Sequence, residues 1–188
     1  HERSSAASDV YKRQVIIGGK LLPDDKLFDK KILINCNNSF MTLSKYQIQT
    51  KYDKTIEFHN EYLGINDAEE IKFYKYNDSR FNGTNDLKNL QKEYPNIKLL
   101  TTEKIITKKL SSIINSDPNL EIKNSIFTVK IFKGEPINIL KGFKEHINKL
   151  HEIKIQGLAK SNLNVEKFSN FIKEYNFIVN ELNTNILV

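Results

Sequence analysis

Strand-like runs alternate with helical patterns along most of this chain, and the sharpest instance begins at Ser125. The run Ser125 to Phe132, SIFTVKIF, is short and largely apolar, as a strand buried on both faces must be. Gly134 closes it, and Pro136 sits where the first turn of a helix accepts proline, because that position needs no amide donor. Ile139, Leu140, Phe143, Ile147 and Leu150 then recur at helical spacing with Lys and Glu between them. The same alternation runs on either side. Lys31 to Cys36 (KILINC) and Thr55 to His59 (TIEFH) read as strands, with a helix capped by Ser39 and carrying Phe40, Leu43, Tyr46 and Ile48 between them. Glu152 to Gln156 (EIKIQ) reads as the next strand. Asn164 caps a helix striped by Val165, Phe168, Phe171, Ile172 and Tyr175, Asn176 stops it, and Phe177 to Leu182 begins a last strand. Such alternation predicts an α/β fold, a parallel sheet with crossover helices on its faces.

The middle of the chain departs from that rhythm. Glu70 to Tyr76 (EIKFYKY) alternates polar and apolar residues, the pattern of a half-exposed strand and not of a parallel core. Asn77 to Asp86 is turn-rich and reads as a surface loop. Lys98 to Thr107 reads as extended, and Leu110 to Ile114 as a short helical turn ended by Asn115 to Pro118.

At 188 residues the chain is one domain's worth, with enough apolar residues to bury a core. No apolar run approaches the roughly 20 residues of a membrane helix, so no membrane partner is expected. The single cysteine, Cys36, rules out an internal disulfide and makes a reducing, cytoplasmic setting the default. The net charge of +6 suggests nucleic acid, but the lysines are scattered among acids and Arg80 is the only arginine past the N-terminal stretch. Phosphate-gripping surfaces use arginine forks as well as lysines, so a solvated surface and no nucleic acid is the expectation. The first fourteen residues, HERSSAASDVYKRQ, show no apolar period and differ in composition from the rest. They read as a non-native segment, which leaves 15–188 as the domain and suggests that a native front lies upstream.

Five strings carry a family resemblance. They are IEFHNEYLGINDAEEIKFYKYN (Ile56 to Asn77), KKLSSII (Lys108 to Ile114), FTVKIFKGEPINILKGF (Phe127 to Phe143), HEIKIQG (His151 to Gly157) and NVEKFSNFIKEYNFIVNEL (Asn164 to Leu182). In order and spacing they resemble the FkbM-type methyltransferase family. The resemblance implies a Rossmann-like class I methyltransferase fold, S-adenosylmethionine as cofactor, and a hydroxyl on a sugar, glycan or other small molecule as methyl acceptor. It also aligns KILINC with the family's second strand, so the first strand and its glycine loop are expected to be missing. Gly18 and Gly19 are too few to stand in for that loop by this alignment.

The resemblance places the cofactor beside Asn35, Cys36 and Asn37, where the family ends its second strand in a carboxylate, and beside Asn60 and Glu61 after the next strand. Other acidic family positions fall on Ser111 and Ile131. Glu135, at the start of a helix, is the catalytic candidate, a base or polar clamp; otherwise it is a first-turn acid that favours the helix dipole. His59, His146 and His151 lack metal-ligand spacing. Two other readings stand beside methyl transfer: a degenerate, non-catalytic copy of the fold that binds, and a basic nucleic-acid-binding domain.

Overall fold

The computed structural model describes residues 10–19, 28–35, 56–84, 86, 94–118, 120, 122–132, 134–155 and 165–175. Its centre is a five-stranded sheet built from β1 (Tyr11–Ile17), β2 (Lys30–Ile34), β3 (Ile56–His59), β7 (Ser125–Ile131) and β8 (Leu150–Ile155), in the order β3-β2-β1-β7-β8. Every pairing in it is parallel. Between β3 and β7 the chain forms a smaller sheet of β4 (Tyr62–Leu63), β5 (Glu70–Tyr76) and β6 (Leu99–Lys108), with β5 antiparallel to β6. Three α-helices, α1 (Leu110–Ser116), α2 (Pro136–Lys141) and α3 (Val165–Lys173), and three 3-10 segments complete the described elements. The molecule is therefore α/β with a mostly parallel central sheet. No described helix is long and apolar enough to cross a membrane.

Side chains alternate across a strand, so each face of the sheet has its own character. Val15, Ile17, Ile32, Ile34, Phe127, Val129 and Ile131 share one face and pack into a single cluster with Leu110, Ile113 and Ile114 of α1, Ile139 and Leu140 of α2, and Phe168, Phe171 and Ile172 of α3. The opposite face carries Ile16 and Leu33 but also the buried polar residues Gln14, Lys31, Thr128 and Lys130.

The expectation that the first strand is missing is wrong. Tyr11–Ile17 is the central strand, paired with β2 on one side and β7 on the other. A boundary after Gln14 would cut through it, while residues 1–9 lie outside the described residues. The strand escapes a periodicity reading because its first half holds Lys12, Arg13 and Gln14, whereas a strand at the centre of a parallel sheet usually reads as a continuous apolar run. Arg13 is buried all the same. Its guanidinium stacks on the Tyr11 ring at 4.9 Å and its Nε donates to Ser125 Oγ at 3.4 Å. Gly18 and Gly19 follow the strand directly.

Other expectations hold with shifted ends. Glu70–Tyr76 is a strand outside the parallel sheet, and Leu99–Lys108 is its partner. The helix expected from Pro136 to Leu150 stops at Lys141 and resumes as a 3-10 turn over Lys144–Lys149. Gly142 sits at the break, where a Cβ would lie 2.3 Å from the Gly64 carbonyl oxygen, so only glycine lets the two segments meet. The helix expected after Ser39, the cap at Asn164, the stop at Asn176 and the closing strand from Phe177 lie outside the described residues.

Candidate functional site

The C-terminal ends of β3, β2, β1 and β7 lie side by side. Strand order reverses between β1 and β7, and in open parallel sheets such a reversal opens the crevice where ligands are held. Gly18 and Gly19 form its lip. Gly18 has a φ of 70°, a conformation natural to glycine, and its amide donates to the Ile34 carbonyl at 2.8 Å. At Gly19 a Cβ would fall 2.1 Å from a ring carbon of Phe132, so the ring lies against bare backbone.

On one flank, Asn35 follows β2 and is buried, and its amide donates to the His59 carbonyl at 3.0 Å. Asn60 follows β3 and is exposed. Because Ile34 pairs with His59, Asn35 and Asn60 stand one step beyond neighbouring strand ends. The structure thus brings these two candidates together. Glu61 is drawn toward the small sheet, its carboxylate 3.6 Å from Lys108 Nζ. Cys36 and Asn37 lie outside the described residues.

Glu135 is on the other flank, between β7 and α2. It occupies the N-cap position, yet its side chain caps no amide. The carboxylate instead lines a cleft of about 290 Å³ between α2 and the small sheet, together with Tyr62, Gly64, Glu69, Lys72 and Thr84. Thr84 Oγ1 donates to Glu135 Oε1 at 2.8 Å, and Asn138 Nδ2 donates to Oε2. The Tyr62 hydroxyl is 3.5 Å from Thr84 Oγ1. Thr84 reaches this place because the loop after β5 folds back: Tyr74 and Gly83 exchange backbone hydrogen bonds of 2.8 and 3.2 Å, and Asn82 accepts from the Tyr76 amide at 2.7 Å. Glu135 was legible as a helix-start acid after a buried strand. Thr84 was not, since only the folded-back loop brings it there, and the sequence reading passed over Tyr62 and Asn138, the latter one helical turn after Glu135.

A chain of charges lies along β2 and β3. Lys30 pairs with Glu57 at 2.9 Å and also with Asp117, and His59 Nε2 lies 2.6 Å from the second oxygen of Glu57. Burial pushes the Glu57 carboxyl up, but the hydrogen bond and charge of Lys30, aided by His59, outweigh it and leave its pKa below the usual value. Burial lowers His146, which meets Phe143 edge to face and bonds Asn115 at 2.7 Å. Among the described residues no three metal-ligating side chains gather.

No family model matches this chain, and no curated protein or solved structure matches it significantly.

Proposed function

We propose that this chain is an S-adenosylmethionine-dependent methyltransferase domain that O-methylates a hydroxyl of a small molecule or glycan. One observation carries the reading: two glycines directly follow the central strand at the point where the parallel sheet reverses its order. Bare backbone there can approach a cofactor that any side chain would push away. Counted within the sheet alone, the strands run 3-2-1-4-5, the order of a Rossmann-like fold.

In this reading Asn35 and Asn60 meet the cofactor's nucleoside half, while Glu61 stays with Lys108 on the side of the small sheet. Asn35 stands where the family has a carboxylate. An amide lacks charge-assisted strength, so cofactor affinity is expected to be modest. The acceptor lies in the cleft with its hydroxyl toward Glu135. The bound cofactor would supply an electrophilic methyl for the acceptor oxygen, and Glu135 or water would take the hydroxyl's proton. Alignment supplies most of the rate and Glu135 the rest. Calorimetric titration with S-adenosylmethionine and its demethylated product tests this. Saturable heat is expected; no heat and no thermal shift at millimolar cofactor would overturn it.

The Phe132 ring against Gly19 favours a second reading, a non-catalytic copy of the fold whose crevice is filled from within. Methyl transfer to any acceptor would rule it out.

A further inference from the structure

We infer that the cleft beside Glu135 takes a small hydroxylated amine, with the ammonium set against the Glu135 carboxylate. The inference rests on the methyl-transfer reading only in naming that ligand the acceptor. Glu135 is half-buried, and both of its oxygens are held by neutral groups, the Thr84 hydroxyl and the Asn138 amide. Among the described residues no lysine or arginine pairs with it. Several other part-buried carboxylates are treated differently: Glu57 and Asp117 pair with Lys30, Glu61 with Lys108 and Glu152 with Lys154. A part-buried carboxylate to which the described residues bring no countercharge is costly, and a cationic ligand would supply one.

The rest of the lining agrees. Each Glu135 oxygen has acceptor capacity left after one hydrogen bond, since an ionised carboxylate offers about four lone-pair sites. Glu69 adds a second carboxylate and Tyr62 a hydroxyl. Lys72, the one cation among the described lining residues, stands exposed on β5 across from Lys104, where solvent screens it. A volume of about 290 Å³ is at the low end for small-molecule sites, which fits a single ring and not a polymer. The Gly83–Tyr74 bridge fixes Thr84, and through it the carboxylate, before any ligand arrives.

Three probes of one shape and different charge test this: glucosamine, glucose and glucuronate, titrated into the whole chain and followed by calorimetry and ligand-observed NMR. Glucosamine should bind about tenfold more tightly than glucose, the difference a charge-assisted hydrogen bond makes, and glucuronate should not bind. Glu135→Gln should erase the preference while leaving the melting transition in place. If that variant does not fold, rising ionic strength serves instead, weakening glucosamine and sparing glucose. Equal affinities, preference for glucuronate, no binding by any probe, or a preference that survives Glu135→Gln or is insensitive to salt would each overturn the inference. Amine preference without S-adenosylmethionine binding would remove the methyl-transfer reading and leave this site standing.

Discussion

Glu57 sits on β3 between Lys30 and His59, and these partners contribute to the acid limb of the stability curve. Its folded pKa lies below that of the unfolded chain, so its contribution is present above the unfolded value and is lost as pH falls through the folded one. Wild type should therefore lose stability below about pH 4, in the window beneath the ordinary glutamate pKa. Glu57→Gln should be about 1 kcal/mol less stable at neutral pH and lose less than wild type on acidification, as denaturant titrations at several pH values would show. Ala68 supplies a second residue-scale test. Its φ of 58° is unfavourable for a side chain, and it is held there by its hydrogen bond to the Thr107 carbonyl. Ala68→Gly should relieve that strain, partly offset by a more flexible unfolded chain, for a net gain of about 0.5 kcal/mol by chemical denaturation. Glu135 could be named from sequence because a helix start after a buried strand is a local pattern. Its partner Thr84 could not, because it is brought there by a bridge between Gly83 and Tyr74 that leaves no periodic trace.

Helix α1 shows what an element borrows from elsewhere. Lys109 at its N-cap offers no capping side chain. Asp67, from the turn between β4 and β5, takes that part: it accepts from the Lys109 amide at 2.8 Å and from Ser112 Oγ at 2.6 Å. The Ser112 bond, followed by the Lys109 amide, holds its carboxyl below the usual range. Asp67→Ala should cost about 0.5–1 kcal/mol, at the low end for caps because the site is exposed, and should speed amide exchange in the first turn of α1. Features with a complete local signature, such as the strand Ser125–Ile131 and the proline start of α2, were legible to within a residue or two. Two features were not. β1 hides behind Lys12, Arg13 and Gln14, whose burial depends on partners far along the chain, and the break at Gly142 exists because Gly64 approaches it.

For the whole molecule, the central place of β1 makes the first residues structural. A chain beginning at Val15 would lose the β1 pairings of Tyr11 through Gln14 with β7. It is expected to lose its cooperative melting transition, measured by circular dichroism; an unchanged melt would show that those residues are dispensable. The same arrangement has a consequence for synthesis. Arg13 bonds Ser125, 112 residues later, so the middle of the sheet closes only after β7 has left the ribosome. Until then β1 and β2 can pair with each other while the far edge of β1 stays open. A nascent chain in that state presents a backbone template to any neighbouring strand, and topologies this non-local fold slowly. Holding factors that bind extended segments during translation should therefore raise the yield of this protein more than agents that act on the finished chain.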